Sequence, residues 1–153
     1  MQRKKQREKD NVGDASKLRV GIVVSRFNPD VTGGMLEGAR ATLRAWKVKD
    51  EHVHVAHVYG SFELPLACAR LIKKRKLDAV IALGCIVKGE TRHDEYLAQA
   101  TSYGLMRLML DTNTPVGFGL ITTNNLKQAR ERSRGENNKG SEAAAAALEL
   151  ALH

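Results

Sequence analysis

Residues 79–96 read AVIALGCIVKGETRHDEY, and the change of character within this stretch decides the fold. Its first nine residues are apolar nearly throughout, with no polar alternation. A short run of that kind suits a strand covered on both faces, as in a parallel sheet. The residues from Lys88 onward are polar and charged and lead into a helical pattern. His93 therefore stands at a helix start, just past the carboxyl end of a buried strand. That is a poor place for a core histidine, and what else gathers there decides whether His93 is more than a surface residue.

Three more runs have the same character: LRVGIVVS (18–25), HVHVAHVY (52–59) and PVGFGLIT (115–122). Helical patterns separate them. Met35, Ala39, Leu43 and Trp46 recur at helical steps, and so do Leu97, Thr101, Leu105 and Leu108. ELPLACARLIKKRK (63–76) gives a third helix, with Pro65 tolerated in its first turn. NNLKQARERS (124–133) and the alanine-rich SEAAAAALELALH (141–153) give two more. The order β-α-β-α-β-α-β-α-α calls for an α/β fold, a parallel sheet with helices on both faces.

The 153 residues suit one domain, by the prior of roughly 100–200 residues per domain. No apolar run is long enough to cross a bilayer, and MQRKKQREKD has no apolar segment behind it to act as a secretory signal. Cys68 and Cys85 read as buried thiols in a reducing cytoplasm, lacking metal-type spacing or disulfide density. The net charge is +8, and residues 1–19 hold seven basic and three acidic side chains, +4 of it. Residues 1–16 are read as a disordered basic arm and residues 17–153 as the domain. Basic arms can bind nucleic acid, but no aromatic is interleaved here to stack on bases, so nucleic acid is not expected as a partner. Lys73–Lys76 fall at a helix C-terminus, where cations complement the dipole without a partner.

In open parallel sheets ligands bind beyond the carboxyl ends of the strands. There the sequence offers Phe27 and Asn28 after the first strand, and Ser61, Phe62 and Glu63 after the second. After the third come Gly89, Glu90, Thr91 and His93; the fourth carries Phe118 and leads to Arg130, Arg132 and Arg134. Each has two readings. Gly89–Thr91 opens a helix whose free amides suit an anion, or forms an ordinary cap with Thr91 at the N-cap and Asp94 three on. His93, with an imidazolium opposed by the helix dipole, suits proton transfer, or is a solvated surface group. Phe27 and Phe62 cover a planar ring, or pack at the rim. Asn28 offers a donor and an acceptor to a heterocycle, or serves a turn before Pro29. Glu63 accepts from polyol hydroxyls, or complements a helix dipole. One arginine of RERSR turned inward would clamp a phosphate. His52 and His54 share a strand face and His57 does not, so a metal site is not expected. No dinucleotide, P-loop or serine-hydrolase motif is present.

VSRFN, VYGSFELPLAC, ALGCIVKGETRHDEY, PVGFGLITTNNLKQARERS and NKGSEAA, in this order and spacing, resemble the 6,7-dimethyl-8-ribityllumazine synthase family from about Lys17 to Leu152. The resemblance implies a flavodoxin-like three-layer α/β/α sandwich with a central four-stranded parallel sheet. It implies condensation of 5-amino-6-(D-ribitylamino)uracil with 3,4-dihydroxy-2-butanone 4-phosphate in riboflavin biosynthesis, releasing phosphate and water without a cofactor or metal. By the same resemblance Phe27 stacks on the pyrimidine with Asn28 beside it. Ser61, Phe62 and Glu63 hold the ribityl chain and ring edge, and Ile86 and Val87 line the pocket. Gly89, Glu90, Thr91 and Arg132 receive the phosphate, and His93 moves the proton. Phe118 and Lys139 match positions that family members contribute from a neighbouring subunit of a pentamer. In many members twelve pentamers close into an icosahedral shell. SRGENNKG (133–140) is one residue shorter than the common family loop and carries Glu136, which bears on loop contacts to the phosphate. Members with smaller assemblies often carry an insertion there, so its absence leans toward a shell. The rival readings are a non-catalytic binding scaffold and an archaeal-type riboflavin synthase. A lost activity would usually show as a replaced histidine or arginine, and both are present; the phosphate-site match argues against the second rival, whose reaction releases no phosphate.

Overall fold

The computed structural model describes residues 12–153. Strands β1 (Val20–Ser25), β2 (Val53–Val58), β3 (Ala79–Val87) and β4 (Val116–Thr123) form one sheet in the order β2-β1-β3-β4, parallel throughout. Among the described residues five α-helices accompany it: α1 (Pro29–Ala45), α2 (Leu64–Arg75), α3 (His93–Thr112), α4 (Leu126–Glu131) and α5 (Lys139–Leu152). Short 3₁₀ turns occur at Asp50–His52, Ser61–Glu63 and Gly135–Asn137.

Two cores lie on opposite faces of the sheet. Ile22, Val24, Ile81 and Leu83 point to one, against Met35, Ala39 and Leu43 of α1 and Ala144, Ala147 and Leu148 of α5. Val23, Val80 and Ala82 point to the other, against Leu64 and Cys68 of α2 and Leu105 of α3. The architecture is the expected three-layer α/β/α sandwich. The helical stripe Met35–Ala39–Leu43–Trp46 is buried as its spacing predicts, and Thr101 is buried beside Leu105.

Double coverage of the strands holds in the middle of the sheet and not at its margins. Every residue of β1 is buried, and so are the first eight of the nine in β3. β2 is only half-buried, and β4 exposes Phe118 and Thr122. The physical reason is position: β2 and β4 are edges, with a neighbouring strand on one side only.

Of the span assigned to a basic arm, residues 1–11 lie outside the described residues. Within the remainder Ala15 is fully buried and its N–H donates to the Trp46 carbonyl at 2.8 Å. This end of the span is thus packed against the domain upstream of Lys17. Among the described residues no helix is long and apolar enough to cross a membrane.

Close helix contact explains glycines that helix propensity would disfavour. A Cβ on Gly140 would fall onto the backbone of Met35, and one on Gly34 would lie 2.6 Å from the Ser133 carbonyl oxygen. Gly33, one residue away, has nothing within 4 Å of the same position. Gly140→Ala should therefore lower the urea midpoint by the equivalent of about 1–3 kcal/mol, the usual cost of overpacking. Gly33→Ala should raise stability by about 0.5–1 kcal/mol, since it only restrains the unfolded chain and the helix. Equal effects at the two positions would remove the close-contact explanation.

Candidate active site

The sheet order reverses between β1 and β3, which makes their carboxyl ends the crevice where open α/β sheets take ligands. After β1, the Arg26 N–H still donates to Val58 O at 2.8 Å, and then the chain leaves the sheet. Asn28 sits in the left-handed region at φ 58°, a conformation asparagine tolerates better than most residues, and starts α1 ahead of Pro29. Its side-chain Nδ2 lies 3.5 Å from the Cys85 carbonyl on β3, a long hydrogen bond across the crevice. The turn role and the position facing the site thus coexist. Phe27 is 59 % exposed, with its ring tilted 54° to that of Tyr59 at 6.4 Å between centroids. It is not packed into the rim.

After β2, the Glu63 carboxylate accepts from the Gly60 N–H at 2.9 Å and closes its own turn. Ser61 is buried against β3, where a Cβ on Gly84 would lie 2.7 Å from its hydroxyl. Phe62 points outward, 67 % exposed. At the end of β3, Ile86 is buried and Val87 half-buried, and the Lys88 N–H donates to Thr123 O at 2.8 Å. Gly89, Glu90 and Thr91 follow as an exposed loop.

The cap of α3 differs from expectation. His93 is the first helical residue and Arg92, not Thr91, holds the N-cap position. The Thr91 hydroxyl instead accepts from the His93 N–H at 3.3 Å, two residues on. The following first-turn amides, of Asp94 and Glu95, have no carbonyl to reach inside the helix. His93 is exposed at this helix start.

The three arginines of the last loop separate. Arg130 donates to the Asp30 carboxylate at 3.0 Å and holds its pKa below the ordinary aspartate value. Arg134 is exposed. Arg132 is half-buried; its Nη1 donates to Gln128 O at 3.0 Å, and it has no carboxylate partner among the described residues. Arg134 has none either, so of the two unpaired arginines Arg132 is the half-buried one. Its carbonyl accepts from the Lys139 N–H at 2.8 Å, and the Lys139 ammonium pairs with Glu142 at 2.9 Å.

Phe118 is not part of this gathering. It pairs with Ala82, five residues before the Val87–Thr123 pair that ends the ladder, and so lies about 16 Å below the strand end. It is 54 % exposed on the open edge. No three His, Cys, Asp or Glu side chains among the described residues are grouped to hold a metal. Burial, Arg75 and Arg19 lower the pKa of His54, and those cations oppose a metal ion beside it. Two residues that sequence reasoning passed over belong to the neighbourhood. Tyr59 flanks Phe27, and Asn138 caps α5 through bonds from the Gly140 and Ser141 amides. An asparagine directly before an alanine-rich helix was the available signal for the second.

A sequence model of 6,7-dimethyl-8-ribityllumazine synthase matches residues 17–153. The chain is also 44 % identical over 142 residues to the 6,7-dimethyl-8-ribityllumazine synthase of Phocaeicola vulgatus, covering 92 % of this chain and 84 % of that protein. The chain belongs to the 6,7-dimethyl-8-ribityllumazine synthase family. Membership makes it a transferase of riboflavin biosynthesis, and the four-stranded parallel sheet is the fold expected of that family.

Both cysteines of this family member are buried, and burial pushes the thiols up to about 12 for Cys68 and about 11 for Cys85. Neither should react with a thiol-disulfide reagent at pH 8 in the folded protein, and both should react after denaturation. Fast labelling of native protein at Cys85 would mean that the crevice floor opens in solution.

Proposed function

We propose that the strand-end cluster is the synthase active site, joining 5-amino-6-(D-ribitylamino)uracil to 3,4-dihydroxy-2-butanone 4-phosphate. The observation that carries this reading is the gathering at one sheet edge of an open aromatic, a turn-bound carboxylate, a helix-start histidine and an arginine without a carboxylate partner. Phe27 stacks on the pyrimidine, with Asn28 at its edge. Ser61, Phe62 and Glu63 hold the ribityl chain, and Ile86 and Val87 form the wall behind it. One Glu63 oxygen already accepts from Gly60, which fixes the carboxylate and leaves the other oxygen to accept from a hydroxyl. Gly89, Glu90, Thr91 and Arg132 receive the phosphate.

The substrate amine attacks the ketone carbon, and loss of water gives an imine. A C–H proton then leaves as the C–O bond to phosphate breaks, the C–H electrons forming the new double bond. His93 takes that proton. The ribityl-bearing nitrogen later closes the ring with loss of a second water. No step needs a redox partner. Holding two substrates in register can contribute about 7–11 kcal/mol, whereas a positioned proton-transfer group typically gives about 10²–10⁴-fold.

We further propose that the site is completed by a second chain, within a pentamer, through Phe118 and Lys139. The mid-strand exposure of Phe118, with Tyr103, Met106 and Leu110 of α3 also exposed, supports this. The uninserted 133–140 loop supports twelve pentamers closing into a shell. A cytoplasmic location accords with two free thiols.

The test mixes purified protein with both substrates and follows lumazine fluorescence against a no-enzyme control. A rate well above control is expected; none from an assembled oligomer would leave a binding scaffold. His93→Ala should slow turnover without abolishing it, and complete loss in an assembled variant would overturn the ranking of positioning over proton transfer. Arg132→Ala should raise KM for the phosphorylated substrate about 10–100-fold, as for a lost charged hydrogen bond of about 1.5–3 kcal/mol. An unchanged KM removes Arg132 from the phosphate site.

A further inference from the structure

Asn138 is 8 % exposed, and its side-chain amide is fully engaged. Its Oδ1 accepts from the Gly140 N–H at 2.9 Å and the Ser141 N–H at 3.2 Å, satisfying two first-turn donors of α5. Its Nδ2 donates to Ser133 O at 3.0 Å and to Gly34 O, on α1, at 2.9 Å. The four partners also fix the amide's orientation: exchanging N and O would set an oxygen against two carbonyls and an NH₂ against two N–H groups. The two ends of this amide do different work, since one holds a helix and the other holds a loop.

That loop joins Arg132, of the proposed phosphate site, to Lys139, proposed to serve a neighbouring chain's site. Arg132 and Lys139 are bonded through the Lys139 N–H and the Arg132 carbonyl, which closes residues 132–139 into a short excursion. Residues 134–137 are all exposed, so apolar packing does little to fix the loop's path. Ser133, beside Arg132, is buried, and its carbonyl is the one Asn138 holds. α1 is shaped to admit this clamp: a Cβ on Gly38 would collide with the Asn138 amide.

We propose that Asn138 is a positioning residue that sets Arg132 against the substrate phosphate, by tying the backbone next to Arg132 to α1. This rests on the reading of Arg132 given above. The two halves of the amide separate the positioning role from the capping role. In Asn138→Asp the side chain still accepts from the α5 amides but can no longer donate to Ser133 and Gly34. The helix start is retained and the clamp is lost. Asn138→Ser keeps a cap acceptor without the added charge, and its single, shorter hydroxyl cannot donate to both the Ser133 and Gly34 carbonyls; it serves should the aspartate variant fail to fold.

The experiment measures KM for each substrate, kcat, and inhibition by inorganic phosphate, on assembled protein, for wild type, N138D, N138S, R132A and R132A/N138S. The inference expects the Asn138 variants to raise KM for the butanone phosphate about tenfold. Phosphate inhibition should weaken in parallel, and KM for the ribitylaminouracil should stay within about twofold. It also expects N138S to add nothing in the R132A background, because the clamp acts through Arg132. A variant that loses only thermal stability, with both phosphate readouts unchanged, makes Asn138 a structural cap and overturns the inference. So does a tenfold KM effect that persists without Arg132. If R132A alone leaves both phosphate readouts untouched, the Arg132 assignment fails, and the inference falls with it. A KM raised by R132A and not by the Asn138 variants leaves the site reading standing and the inference refuted.

Discussion

One side of this molecule depends on α5 lying in backbone contact with both α1 and β4. Gly140 meets Met35 at the first turn, and a Cβ on Gly117 of β4 would stand 2.6 Å from the Ala143 carbonyl. Only small side chains allow such an approach, and α5 supplies them in the run Ala143–Ala147. Those alanines lose almost no side-chain entropy on burial and favour the helix intrinsically. The segment can therefore be thin without being weak. The contact also fixes where α5 begins. Its N-terminus is set beside the loop that carries Arg132, so close packing on one face of the sheet determines geometry at the sheet's carboxyl edge.

At that edge the connecting loops are held by short-range polar bonds of their own. Glu63 closes the turn after β2, and the Thr91 hydroxyl takes the first amide of α3. Asn125 and Gln128 cap α4 reciprocally, through bonds of 2.9 Å from Gln128 N–H to Asn125 Oδ1 and from Asn124 N–H to Gln128 Oε1. Asp30 and Arg130 tie the start of α1 to α4. Exposed loops with few apolar contacts would ordinarily sample many conformations. Here each is restrained near a residue assigned to substrate, the arrangement a site needs when its main contribution is orientation.

The strands and helices were legible because their signals are local. A nine-residue apolar run, a stripe at helical steps and a proline in a first turn need no knowledge of the rest of the chain. What could not be read depended on tertiary placement. Whether a strand is covered on both faces follows from sheet order, so β2 and β4 carry apolar sequences yet are partly bare. The sequence places Phe118 within the fourth strand, but how far it lies below the strand end is set by the β3–β4 register. Arg130 and Arg132 are equivalent in sequence; the partner that separates them, Asp30, lies 100 residues from Arg130. The Thr91 cap was misplaced by one residue, the ordinary uncertainty of a helix boundary. The motifs resembling the family point to Arg132, and the structure adds that it is half-buried with no carboxylate partner among the described residues, whereas Arg134 is exposed.

On the proposed reading of the site, the exposure of its aromatics accords with a second chain taking part. Small-ligand sites usually bury about 70–90 % of their ligand's surface in a concave pocket. Phe27 and Phe62 are 59 % and 67 % exposed among the described residues. Stacking a heterocycle on Phe27 alone would leave its other side in water, where the competing hydration weakens every polar contact around it. Phe118, which the family resemblance assigns to a neighbouring chain's site, lies on an edge strand about 16 Å below that strand's end. An edge strand with an exposed aromatic is a liability for a monomer and an asset for an oligomer. On the pentamer reading the two exposed surfaces make sense together: strand-end aromatics open to solvent, and a β4 edge that a second copy would present to them.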